Sequence, residues 1–381
     1  MPRSLAHIWR IVRDNSLLMM SGAVAALVWA NLAPESYEHL THPLHFLVND
    51  IAMVFFFGLA TKEIIGATAP GGPLHSVRRA ALPALAAVGG MVGPAAVYLL
   101  LATLSGRTDI LRGWAIPCAT DIAFSYLVAK VIFSPMHPAV PFLLLLAIVD
   151  DALGLVLLAV AYPSGDVQPL YLVGLLPLAC LVAWGMRRGH VRSFWPYVLG
   201  PGVLSWLGFY MGGLHPALAL VPVLPFLPRG GPADEATPPA GQAHGSHSAL
   251  DDFEHWWKVP VEVILFFFAL SNAGVPLGGA GATTAIVVGA LLVGKPLGIT
   301  VSAWLAERGG LERPDGLHWG DVAVLGTVAG IGFTVALFFA TAAFEPGANL
   351  NQAKLGALMS VSASLLAIGA ARLLGTGKFA R

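Results

Sequence analysis

Charge is what this chain of 381 residues has little of. Its 21 Lys and Arg and 21 Asp and Glu make up 11% of the residues and cancel to a formal net charge of zero. Soluble domains carry about a quarter charged residues, so a water-soluble globule is excluded. Zero net charge also leaves no basic footprint for nucleic acid. Cysteine is scarce as well: Cys118 and Cys180 each lie in an apolar run. Two thiols so placed make neither a disulfide frame nor a metal site, and they are expected to pack as small hydrophobes. No small-residue cleavage site of the A-x-A kind follows the first hydrophobic stretch, which is therefore expected to be a retained span.

What the chain does have is apolar residues, at 56%, and a mean hydropathy of +0.75. Long apolar stretches recur from end to end, which predicts an all-α polytopic membrane protein. A bilayer core takes roughly 20 apolar residues as a helix. On that rule the expected spans lie near 16–33, 46–66, 80–104, 114–133, 139–162, 169–186, 196–212, 214–227, 259–273, 284–306, 321–343 and 353–375, twelve in all. They are read as one transporter domain over 1–381. Its core-type bundle includes 80–162 and 284–375, and the remaining spans form an interface.

Arg3, Arg10, Arg13, Arg78, Arg79, Arg187, Arg188, Arg192, Arg229, Lys258, Arg308, Arg313, Arg372, Lys378 and Arg381 then fall on one side. Only Arg107, Arg112 and Lys354 fall on the other. This asymmetry predicts cytoplasmic termini. The segment RGGPADEATPPAGQAHGSHSALDDFEHWWK, 229–258, is polar and rich in Gly and Pro. It reads as a solvated cytoplasmic loop, since His244, His247 and His255 lack the ligand spacing of a closed metal site.

Ionisable groups deep in the membrane cost on the order of 2.5–3.5 kcal/mol each on insertion scales and mark function. Here they are Asp50, Asp121, Asp150, Asp151 and Lys295, with Glu63 and Glu262 nearer span ends. A buried Asp–Lys pair can serve only to hold helices together. One such pair, however, uses one carboxylate, and Lys295 is the only cation placed mid-span. Asp150 and Asp151 point about 100° apart around a helix, so one can face Lys295 while its neighbour faces a water-filled cavity. A carboxyl group taken from water holds its proton more tightly, and one beside a second carboxylate more tightly still. Ionised, it offers hard oxygen ligands for a small cation. Competition between proton and cation for one acid is the physical core of exchange.

Two expected spans are interrupted. GWAIPCATDIAFSYLVA holds Pro117, followed by Ala119, Thr120 and Asp121; VAVLGTVAGIGFTVALFF holds Gly326, Gly330 and Gly332, with Thr327 and Thr334. Each is central in a group of three, which suggests two inverted-repeat halves meeting through unwound backbone. Broken helices expose positive N-terminal and negative C-terminal ends. Asp121 can offset the former and Lys295 the latter.

At GWAIPCATDIAF (113–124), LAIVDDALG (146–154), FALSNAGV (268–275), LLVGKPLGI (291–299) and GIGFTVALF (330–338) the chain resembles the NhaA family of bacterial sodium/proton antiporters. Asn49, Asp50, Glu63 and Gly213-Leu214-His215 also fall at family-like positions. The family is itself a type example of the inverted-repeat principle used above. The resemblance implies an NhaA-like fold with discontinuous spans 4 and 11 crossing at the midplane, and a transporter, not an enzyme, with no cofactor. It implies Asp151 as principal cation ligand and Asp150 as its proton-carrying partner, paired to Lys295 in one state, with Thr120 and Asp121 lining the site. The transported sodium or lithium would thus meet Asp151, Asp150 and Thr120. Two protons would enter per cation leaving, across the bacterial inner membrane. Glu63, with Glu254 and His255, would form a cytoplasmic pH-sensing cluster, and the protein would be a homodimer.

The chain departs from the family in its regulatory region. Ile65 and Ala67 stand where a basic residue and an acid are usual, Glu262 where an uncharged residue is usual, and Asp252 competes with Glu254 for one family position. Two other classes bear weighing. An intramembrane aspartyl protease would set its acid in Gly-x-Gly-Asp, but Val149 precedes Asp150. A sodium-coupled solute symporter would need a further cluster of mid-membrane polar groups, which the sequence does not provide.

Overall fold

The computed structural model describes residues 17–229 and 248–380, with only the backbone for 77–79. Arg3, Arg10, Arg13, His244, His247, Arg381 and the side chains of Arg78 and Arg79, on which expectations were placed, lie outside what is described. Among the described residues the chain is helical and has no strand. An apolar solvent imposes this, because a helix satisfies its own backbone polar groups.

The helices are α1 (Leu17–Leu32), α2 (Pro34–Thr68), α3 (Val77–Leu104), α4 (Ile122–Ile132), α5 (Ala139–Ala161), α6 (Pro169–Arg188), α7 (Val203–Met211), α8 (Ala249–Asn272), α9 (Ala282–Arg308), α10 (Trp319–Ala329), α11 (Phe333–Ala343), α12 (Ala348–Met359) and α13 (Ala363–Leu374). A 3₁₀ segment, Thr108–Cys118, precedes α4 and meets it at a bend of 56°; α10 meets α11 at 49°. The order of long helix, bent pair, long helix thus occurs twice, at 77–161 and at 282–374. Among the described residues six helices are long and apolar enough to cross a membrane, and eight if each bent pair is one span.

The expected span at 214–227 is not a regular helix. It folds into short 3₁₀ turns, Pro216–Leu218 and Leu224–Phe226. Pro216, Pro222 and Pro225 remove three backbone donors within ten residues, more than an α-helical ladder tolerates. The span expected near 196–212 is divided as well, with a π-helical stretch, Val198–Gly202, ahead of α7. That near 259–273 starts earlier, because α8 begins with a polar turn at Ala249.

The chain divides into two compact units, one made of the described parts of 1–45, 66–157 and 265–381, the other of 46–65 and 158–264. In the second unit Phe194, Tyr197, Leu220, Val223, Leu224 and Phe253 form a buried core, beside which Phe55 stacks on Trp257 at 3.4 Å between centroids. In the first unit α3 and α9 touch backbone to backbone. A Cβ on Gly298 would lie 2.0 Å from the Gly89 carbonyl, one on Gly93 2.4 Å from the Gly294 carbonyl, and one on Gly294 2.6 Å from Pro94 Cα. Two small-x-x-x-small motifs, 89–93 and 294–298, are therefore docked on each other, the arrangement that lets lipid-embedded helices approach most closely.

Pro296 has no N–H for the carbonyl four residues back, and α9 takes a π turn at Ala290–Gly294 immediately before Lys295. Close crossing and π turn together bring Lys295 into the interior, where its side chain is fully buried.

Gly298→Val should lower the thermal midpoint of the detergent-solubilised protein, with an overpacking cost of about 1–3 kcal/mol or more. Gly174→Ala is the control, since a Cβ there meets nothing within 4 Å. An unchanged midpoint for Gly298→Val would remove the backbone contact from the account.

Candidate functional site

Interrupting a helix leaves N–H groups at one cut end and C=O groups at the other without intrahelical partners. Both bent pairs lie in the first unit, and their loose groups are satisfied by each other and by a few buried side chains. Asp121 caps α4: its Oδ1 accepts from Phe124 N at 3.1 Å. Its Oδ2 accepts from Thr334 N at 3.3 Å and from Thr334 Oγ1 at 2.5 Å, both at the start of α11. One carboxylate thus faces the positive ends of two helices, where a negative charge is stabilised. The Asp121 N–H itself donates to Ile331 O at 2.7 Å.

The carbonyl ends are met by donors. Lys295 Nζ donates to Cys118 O at 2.5 Å. Thr120 Oγ1 donates to Ala329 O and Ser125 Oγ to Val328 O, each at 3.1 Å. In the second break Gly332 N donates to Ser360 Oγ at 3.3 Å, and that hydroxyl donates to Ala357 O. Thr120, Asp121, Ser125, Thr334 and Ser360 are all buried.

Lys295 serves a second acceptor. Its ammonium lies 3.0 Å from Asp150 Oδ2, with both side chains at 0% exposure. Two charges out of water cost several kcal/mol each, and only their mutual attraction and further hydrogen bonds offset this. Lys295 has its further bond in Cys118 O. Among the described residues Asp150 Oδ1, which is buried, has no hydrogen-bond partner. Removing the lysine would leave this carboxylate as an uncompensated buried charge. Asp151 follows on α5 and is half-buried, so the next position around the helix is better solvated than the pair. Among the described residues no three His, Cys, Asp or Glu side chains converge as a metal site. An ion held beside Asp151 would draw its remaining ligands from hydroxyl, carbonyl or water oxygens.

The structure therefore brings Thr120, Asp121, Asp150 and Lys295 into one buried network and puts Asp151 next to it on α5. Reading the sequence passed over Ser125, Ser360 and the carbonyl of Cys118. It also passed over the paired glycine motifs that carry Lys295 inward, although their spacing, GGMVG and GKPLG, was legible.

A second polar cluster lies in the second unit. Lys62 is ion-paired with Glu254 and lies 3.7 Å from Asp251, whose Oδ2 accepts from Ser248 Oγ at 2.7 Å. Of the acids competing for one place, Glu254 is half-buried against Lys62, while Asp252 is exposed, as are Glu63 and His255. Lys62 was missed in the sequence, although it directly precedes Glu63. Asp50 sits in a π-helical stretch, Phe46–Ala52, 4.0 Å from His215 Nδ1.

The family described as Na+/H+ antiporter 1 matches residues 7–373. A protein named Na(+)/H(+) antiporter NhaA 1 from Pelobacter propionicus is 46% identical, over 96% of this chain and 97% of the relative. One named Na(+)/H(+) antiporter NhaA from Geotalea uraniireducens is 45% identical over 97% of each chain. Another of that name from Desulfitobacterium hafniense is 45% identical over 96% of each.

Lys295→Ala should destabilise the purified protein by about 3–5 kcal/mol, the range for breaking a buried pair from one side. Adding Asp150→Asn should recover part of that loss in thermal melts. Equal losses for the single and double variants would mean that the pair is not coupled.

Proposed function

The chain belongs to the Na+/H+ antiporter 1 family, and from that premise we propose that it exports sodium or lithium in exchange for protons across a bacterial inner membrane. The observation that carries this reading is the fully buried Asp150–Lys295 pair with a second, better solvated carboxylate adjoining it. In our reading Asp151 is the principal cation ligand, assisted by Asp150 and by the Thr120 hydroxyl. Asp150 carries a proton in the state in which Lys295 lets it go. Asp121 lines the site and holds the positive helix ends. Binding of the cation displaces protons from the acids, and binding of protons displaces the cation, so each bound state is open to one side at a time.

Alternating access of this kind suits two inverted repeats whose broken helices cross at the midplane, of which this family is a type example. The two helix triplets with bends of 56° and 49° support that reading. Twelve spans with both termini cytoplasmic would account for the placing of arginine and lysine along the chain. A stoichiometry of two protons per sodium, as the resemblance implies, moves one net charge inward per cycle. The membrane potential would then contribute about 2.3 kcal/mol per 100 mV. A homodimer is the assembly implied by the same resemblance.

The cluster of Lys62, Glu63, Asp251 and Glu254 is our candidate for pH regulation from the cytoplasmic side. A two-aspartate protease is disfavoured, because Asp150 is tied to Lys295 and Asp121 to Thr334 and Phe124.

In everted vesicles, adding sodium to a preformed proton gradient should release it, and Asp151→Asn should abolish the release while the protein still accumulates and melts cooperatively. Silence of the wild type at every pH between about 6 and 9, where tuned carboxylates titrate, would reject antiport. Retained release in Asp151→Asn would reject the ligand role alone. Lys62→Gln should shift the pH dependence of that release, and an unshifted profile would take regulation away from this cluster.

A further inference from the structure

The carboxylate of Asp121 is shared by the starts of α4 and α11, and one side chain controls how firmly they share it. Thr334 is the second residue of α11 and is 3% exposed. Its neighbours Phe333, Ala336 and Leu337 are buried apolar groups, among which a valine would fill the same space. The hydroxyl is thus the only polar reason for a threonine here. That hydroxyl lies 2.5 Å from Asp121 Oδ2, within the range of about 2.5–2.7 Å typical of a hydroxyl donating to a carboxylate. Thr334 N lies at 3.3 Å from the same oxygen, a longer and weaker contact. The hydroxyl oxygen also lies 2.8 Å from Met19 Sδ. It has one proton to give, and a carboxylate accepts far better than a thioether. The proton therefore goes to Asp121.

We propose that Thr334 is a positioning residue for exchange: its hydroxyl ties the first turn of α11 to the capping carboxylate of α4, so that the two helix starts shift as one piece. It does not hold the cation, which remains with Asp151, Asp150 and Thr120. The proposal rests on the antiport reading for its functional half, whereas the contact itself can be tested without transport.

Thr334→Val keeps the shape and removes the donor; Thr334→Ser keeps the donor and removes a methyl group. In proteoliposomes, Thr334→Val should lower the maximal sodium-driven proton flux on the order of tenfold or more, as expected for losing a hydrogen bond to a charged group. Its apparent KM for sodium should stay within about twofold of wild type, because an interaction that acts in the moving step and not in binding leaves KM in place. Thr334→Ser should restore most of the flux. Wild-type flux in Thr334→Val, a Thr334→Ser variant as slow as Thr334→Val, or a raised KM with unchanged maximal flux would each overturn the proposal. If Thr334→Val does not accumulate, Thr334→Ala is compared with Thr334→Ser on the same measurements.

The thermal midpoints of Asp121→Ala, Thr334→Val and the double variant form a second arm that needs no transport. Residues in contact should show losses that do not add. Additive losses would overturn the contact. Absence of exchange in the wild type together with non-additive losses would overturn the antiport reading and the functional half of this proposal, leaving the contact in place.

Discussion

A cut helix end in an apolar surrounding presents up to four N–H or four C=O groups without partners, each costing several kcal/mol if left bare. Two helix pairs in this protein are cut in that way, and the rest of the first unit is arranged around the need to satisfy them. Asp121 takes the N–H ends of both second halves. Lys295, Thr120 and Ser125 take carbonyls of the first halves. Charges that would be unaffordable singly become favourable because each sits at a helix end of opposite sign. The polar residues in these spans are thus bound into a single electrostatic problem with one joint solution.

Lys295 is the member of that network with two obligations, to a carbonyl and to a carboxylate. Its position depends on backbone, not on side-chain attraction. Glycines at 89, 93, 294 and 298 let α3 and α9 close on each other, and Pro296 forces the π turn that precedes the lysine. Without that approach the ammonium would stand further from Cys118 O, and the Asp150 carboxylate would lose the only hydrogen-bond donor described for it.

The cluster around Lys62 obeys different physics. Its groups are half-buried or exposed, so water and salt screen them and each pair contributes little to stability. Screening makes such a cluster tolerant of substitution.

Much of this was legible along the chain. Apolar runs specify helices because lipid leaves the backbone no other way to satisfy itself. The two breaks are visible at Pro117 and at Gly330 and Gly332, since proline lacks a donor and glycine weakens a helix. The cost of burying charge singles out Asp121, Asp150, Asp151 and Lys295 wherever they end up. What sequence alone could not decide is which group meets which, because a hydrogen bond can join residues far apart in the chain, as the 213 positions between Asp121 and Thr334 show. Nor could it show that 214–227 folds as turns, which depends on three prolines acting together. That Asp121 serves two helices at once, and that a threonine hydroxyl holds it there, was decided only when the cut ends were brought within 3 Å of one another by packing.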